Sequence, residues 1–313
     1  MQDHKAEAIL FETFVTLFHS DEEKAYKLYS EALLKLDIAL PFNSIVYELS
    51  AISGFKQSEL ISAYDKVRTA FDAYTFDYTI LTPSDELFPQ RLLKSEYPVR
   101  FLYLVGDKEL LRKKKVGLLG MHLPSLQGKD DTLKLLTEVK EADEVLMTTL
   151  DVGIPSFGLS VADKLDLKAI LVLQTPLHQC IPQSELEKMV KIGNNGGLLI
   201  TRFAPCRRSE KWYAVLRNRL FVELVSMLLL VEEKDGGPGW SLATLIREDG
   251  RDVVLPQLFV DNVNYSWAGK TQGLNHAIVY KKKGDLAKRL KTKKKGEKKE
   301  QKAEDSYVQL SLF

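Results

Sequence analysis

The chain has 313 residues, enough for one large domain or two modest ones plus appendages. Its 45% hydrophobic and 28% charged residues exclude a low-complexity or fibrous chain and describe an ordinary globular one. A net charge of +1 hides an asymmetry: about twelve Lys and Arg against about three acids lie between Lys281 and Lys302, which leaves residues 1–280 at about −6. No run of about 18 apolar residues occurs, and the opening MQDHKAEA lacks the basic-then-apolar order of a signal peptide, so no membrane contact is expected. The two cysteines, Cys180 and Cys206, offer no metal spacing and fit a reducing, cytoplasmic setting.

Residues 5 to about 73 read as helical. Ala8, Ile9, Phe11, Phe14, Val15 and Phe18 recur at helical spacing, and Ser20-Asp21-Glu22-Glu23 supplies a cap for the next helix. Pro41 and Gly54 punctuate two more, giving a small all-α N-terminal domain over 1–75. Tyr78 to Gly106 is a proline-punctuated lead-in, suited to the edge of a sheet. Val116–Gly128, VGLLGMHLPSLQG, then opens a parallel α/β unit: a short apolar strand, a polar loop, and a helix over Lys129–Ala142. Strand-length apolar runs follow at Glu144–Thr149, Lys168–Gln174, Gly197–Thr201, Met227–Glu232 and Asp252–Leu255. Helical patterns lie between them at Ser160–Leu165, Gln183–Ile192, Lys211–Leu224 and Leu242–Glu248. This alternation predicts an α/β fold with a parallel sheet covered on both faces over 76–280.

From Lys281 the chain turns lysine-rich and is expected to be a linker to 307, disordered or at best transiently helical. It leads to Val308-Gln309-Leu310-Ser311-Leu312-Phe313, an apolar peptide that either folds back or serves as a ligand for another protein.

The order of these pieces resembles the DNA-processing protein DprA (Smf) family over about two-thirds of the chain, from Asp77 to Tyr280. The lead-in Tyr78–Leu111, Gly120 through Ser125 to Gly128, Gly153-Ile154, Gly197–Thr201, Arg217-Asn218-Arg219, Gly250-Arg251-Asp252 and Gly273-Leu274-Asn275 carry the likeness. It implies a Rossmann-like core, binding of single-stranded DNA, a part in loading the recombinase RecA during transformation, and a homodimer, without a cofactor or enzymatic step. The chain departs from the pattern where His122 replaces an arginine, Pro155 an aspartate and Leu159 a histidine. The usual phosphate-type loop becomes Asp235-Gly236-Gly237-Pro238-Gly239. Gln309-Leu310-Ser311-Leu312-Phe313 is similar to the peptide by which bacterial proteins bind the DNA polymerase sliding clamp.

Several residues are therefore candidates for DNA contact. Gly120, His122 and Ser125 form an anion loop or a plain chain reversal. Arg217, Asn218 and Arg219 contact phosphates or hold two elements together. Lys113, Lys115 and Arg202 belong to basic clusters with the same two readings, and Gly236, Gly237 and Gly239 form a second anion loop. Trp212 and Tyr213, beside Arg207 and Arg208, either stack on bases or belong to the core. The alternatives to a DNA-binding core are a nucleotide-like small-molecule binder, an N-glycosidic hydrolase using Glu232 or Glu233, and a scaffold that has lost its pocket.

Overall fold

The computed structural model describes residues 4–74, 77–177, 192 and 195–290. Cys180, all but the last residue of the helix expected over Gln183–Ile192, and the chain beyond 290 with its 308–313 peptide lie outside the described residues. Among the described residues no helix is long and apolar enough to cross a membrane.

The chain divides into two compact units, one of residues 1–108 and 172–223, the other of 109–171 and 224–313. The boundary expected at 75/76 is therefore not where the chain divides. The first unit begins with helices α1 (Lys5–Leu17), α2 (Glu22–Lys35), α3 (Phe42–Ser53) and α4 (Gln57–Asp72). Asp21 caps α2 by accepting from the Lys24 amide at 3.0 Å, as the Ser-Asp-Glu-Glu pattern predicts. Every residue of α1 from Ala8 to Val15 is buried, Glu12 and Thr13 included. A helix enclosed on all sides cannot belong to a thin free-standing bundle. Phe11 meets Phe101 at 5.2 Å between ring centroids, and Phe71 meets Tyr103 edge-on at 6.1 Å, so the helices share one core with the lead-in. That lead-in forms β1 (Thr79–Leu81) and β2 (Leu102–Gly106), which pair antiparallel; β2 also pairs antiparallel with β6 (Leu198–Thr201). β1 is the edge strand of that set, where Pro83 just beyond its end is tolerated.

The second unit holds the parallel sheet. β3 (Lys115–Gly120) lies between β4 (Val145–Thr149) and β7 (Met227–Val231), parallel to both. β8 (Asp252–Pro256) pairs parallel with β7, and β9 (Ala277–Tyr280) parallel with β8. β5 (Ala169–Val172) flanks β4, and the boundary between the units falls at its end. Every residue of β4, β7 and β8 is buried, the mark of a sheet covered on both faces. The covering helices are α5 (Leu126–Glu141), α6 (Ile154–Lys164) and α8 (Pro238–Glu248); α7 (Tyr213–Leu224) precedes β7 in sequence. Short helices α9 (Gln257–Asp261) and α10 (Ser266–Thr271) follow β8.

The lysine-rich stretch expected to be a disordered linker from 281 is ordered to 290, a correction to the sequence reading. Residues 285–290 are helical, and Leu286, Ala287 and Leu290 are buried. The fully buried Glu138 carboxylate accepts from the Tyr280 hydroxyl (2.7 Å), the Gly284 amide (2.7 Å) and the Ala287 amide (2.9 Å). Arg289 reaches the buried Asp252 at 2.9 Å. The reason is positional: Leu286 and Leu290 are spaced to share one helix face, hidden in composition by the lysines around them.

Candidate nucleic-acid interface

At the carboxyl edge of the parallel sheet, the loops after β3 and β7 lead into helix N-termini, where free backbone amides favour an anion. In this chain the anions are its own carboxylates. Glu232, directly after β7 and in a left-handed backbone conformation (φ 52°), accepts from the Ser125 amide at 2.9 Å and from the Ser125 hydroxyl at 2.5 Å. Ser125 Oγ also caps α5 by accepting from the Gly128 amide at 3.1 Å. A Cβ on Gly128 would lie 2.2 Å from Glu232 Oε2, so a side chain there would have to push the carboxylate aside. Glu233 does the same for α8, accepting from the Lys234 amide and the Gly239 amide, each at 3.0 Å. A Cβ on Gly237 or Gly239 would come within 2.1 or 2.4 Å of its oxygens.

Glu232 and Glu233 are both buried. Burial pushes the Glu233 carboxyl above its usual range, against the pull of the two amides that bind it. Asp235 then accepts from the Ser266 amide (3.1 Å) and hydroxyl and from the Trp267 amide (3.0 Å), and these bonds hold its carboxyl below the usual range. The run Glu-Glu-Lys-Asp after one strand thus binds backbone amides at Ser125, at Lys234 and Gly239, and at Ser266 and Trp267.

Both predicted anion loops therefore exist as loops and are internally liganded. Gly120 ends β3 close against β7: a Cβ there would lie 2.0 Å from the Val231 carbonyl oxygen. His122 is exposed at the edge, and Gly236 is open, with positive φ and no neighbour in the path of a Cβ. The sequence carried this signal as three acids immediately after a buried strand. Considered only as hydrolytic groups, Glu232 and Glu233 concealed their structural work.

The basic candidates divide in a similar way. Arg202, expected at a DNA surface, has a side chain only 4% exposed; it donates to the carbonyls of Tyr97 (3.0 Å) and Pro98 (3.2 Å) and to Glu22 (2.9 Å). Arg207 is held by Glu12 at 2.5 and 3.0 Å and by Glu22 at 3.2 Å. These ion pairs join α1 and α2 to the 202–207 segment within the first unit. Arg217 is buried, Asn218 half-buried, and Arg219 half-buried against Glu96 at 2.6 Å. Lys115 donates to the Leu111 carbonyl at 2.6 Å, and burial lowers its ammonium to about 8. Lys113 is exposed and pairs with Asp143 at 2.9 Å. Of the aromatic pair, Tyr213 stacks on Phe203 at 4.0 Å inside the core, whereas Trp212 is 43% exposed.

A parallel sheet carrying helix N-termini along its carboxyl edge defines the α/β class built around a Rossmann-like sheet. Within that class, residues 79–291 match the DNA recombination-mediator protein A family, and the chain belongs to it. A curated relative, DNA processing protein DprA of Bacillus subtilis, is 24% identical over 199 residues, which cover 63% of this chain and 67% of that protein. The solved DNA processing protein A of Streptococcus pneumoniae overlays with a TM-score of 0.64 at 19% identity, covering 90% of this chain and 94% of its own. The Helicobacter pylori DNA processing protein A, whose structure addresses its single-stranded DNA binding mode, overlays with a TM-score of 0.58 at 20% identity, over 71% and 98% of the two chains. At these identities the overlays establish the fold.

Proposed function

We propose that this chain is a single-stranded-DNA-binding protein of DNA recombination, acting without an enzymatic step. The observation that carries the reading is the family match over 79–291, joined to the single-stranded DNA binding described for the Helicobacter pylori relative. The carboxylates at the sheet edge bear on how it binds. Phosphates meeting Glu232, Glu233 and Asp235 would displace bonded carboxylates or be repelled by them. DNA therefore engages surfaces away from that edge, aided by the lysines between 281 and 302.

In the finer reading, Gln309 to Phe313 docks on the polymerase sliding clamp, a homodimer forms, and the bound strand is handed to the recombinase RecA. The lysine-rich stretch tethers the clamp peptide to the body and raises the local concentration of each weak contact. Neither carboxylate that a hydrolase would need is free at this edge, since both bind backbone amides.

Titration of the full chain with a fluorescent single-stranded oligonucleotide at rising salt tests the core of this reading. Binding that weakens as salt rises is expected, and absence of binding even in dilute buffer would refute it. In parallel, removing 308–313 should abolish binding to purified sliding clamp while leaving DNA affinity unchanged. Undiminished clamp binding would remove the clamp from the account.

A further inference from the structure

Resting on the single-strand reading above, we infer that a cleft in the first unit is a nucleobase-binding subsite, with Trp212 as its stacking platform. The cleft has a volume of about 320 Å³, room for one base and its sugar, and all of its lining lies within residues 20–26, 96–100 and 202–216. Two of its aromatic rings face solvent, Trp212 at 43% and Tyr97 at 38% exposed, and the buried Leu216 contributes to the lining. A third, Tyr26, carries the Arg100 guanidinium over its face at 3.9 Å. Half-exposed Trp and Tyr around one cavity, with a guanidinium plane beside them, is the composition that stacks bases regardless of sequence.

The walls are preorganised. Arg202 ties the Tyr97–Pro98 carbonyls to Glu22, and Glu22 also takes Arg207, so both sides of the cleft are fixed before a ligand arrives. The acids at the mouth do not form a cation site. Asp21 caps α2 and pairs with Lys24 at 2.9 Å, Glu22 is taken by two arginines, and Glu96 pairs with Arg219 at 2.6 Å. Glu23, exposed on the cleft wall, is an acceptor for the exocyclic amino group of cytosine, adenine or guanine. Arg208 and Lys211 are exposed in the segment that delivers Trp212, where the phosphates flanking an inserted base would run. The two neighbouring aromatics differ: Trp212 keeps 43% of its surface exposed while its indole N–H donates to Glu210 at 2.5 Å, whereas Tyr213 is buried against Phe203.

The test uses the full chain and a labelled single-stranded oligonucleotide of roughly 20 nucleotides, long enough for one binding site. Trp212→Ala should weaken binding roughly tenfold with the salt slope unchanged, and Trp212→Phe should restore most of the loss. Arg208→Ala with Lys211→Ala should instead flatten the salt slope by about 1.4, the share of two phosphates on a single strand. Wild-type affinity retained by Trp212→Ala, in a chain that does bind the oligonucleotide, would overturn the subsite and leave the function standing. Failure of the wild type to bind would overturn the function itself. Trp212-dependent binding of a lysine-rich peptide, with DNA affinity untouched, would reassign the cleft to a basic protein segment and overturn the proposal.

Discussion

At the scale of single residues, the account rests on carboxylates doing the work that a bound phosphate would otherwise do. Glu233 holds two backbone amides, one of them at the start of α8. Glu233→Ala leaves the buried Gly239 amide without an acceptor, and should cost about 1–3 kcal/mol in urea denaturation, since that amide stays desolvated and unbonded. The pair Glu12–Arg207 is more demanding, because both groups are enclosed. Arg207→Ala should destabilise by about 3–5 kcal/mol, while Arg207→Met with Glu12→Leu should recover much of that loss. Little of this was legible in the sequence. Arg202 and Arg207 look like a basic surface because nothing in their neighbourhood along the chain announces Glu12 and Glu22, which lie about 180 residues or more away. Gly237 and Gly239 read as an anion loop, but the carboxylate that lies against them is identified only by the fold.

At the scale of elements, the strands were legible because they are buried on both faces and read as continuous apolar runs. β4, β7 and β8 fall within a residue of their expected limits. β9 escaped, being four residues long and directly followed by lysines. The turn at 285–290 escaped for the same reason: composition averages over the lysines and misses two leucines on one face. Because Glu138 accepts from two amides beyond β9, those of Gly284 and Ala287, ending the chain at 280 should destabilise it, whereas ending it at 290 should leave its thermal midpoint unchanged. A midpoint indifferent to both truncations would show that the segment adds nothing to stability.

The start of β3 makes a pH prediction. Burial lowers the Lys115 ammonium to about 8, below its unfolded value of 10.5. Between those values the unfolded chain binds more protons, so this group's contribution makes stability rise with pH across that window. The full penalty applies below pH 8. Allowing for solvent screening of a side chain that is only partly enclosed, the rise is about 1–2 kcal/mol. Lys115→Met should remove it, measured as the difference between the two proteins' urea midpoints from pH 8 to 10.5. An unchanged difference across that window would contradict burial as the cause.

At the scale of the whole molecule, family membership and a sheet edge closed by its own acids have to be reconciled. The chain departs from the family pattern at His122 and Asp235–Gly239, and in its structure Glu232, Glu233 and Asp235 occupy backbone amides at this edge. On the proposed reading, single-stranded DNA is held at surfaces other than this edge, the Trp212 cleft foremost. Hydrogen exchange of the full chain, with and without a saturating single-stranded oligonucleotide, tests this most directly. The account predicts slower exchange over 20–26, 96–100 and 208–216, with no change over 121–128 and 234–239; protection of the latter two loops, with the cleft unaltered, would contradict it.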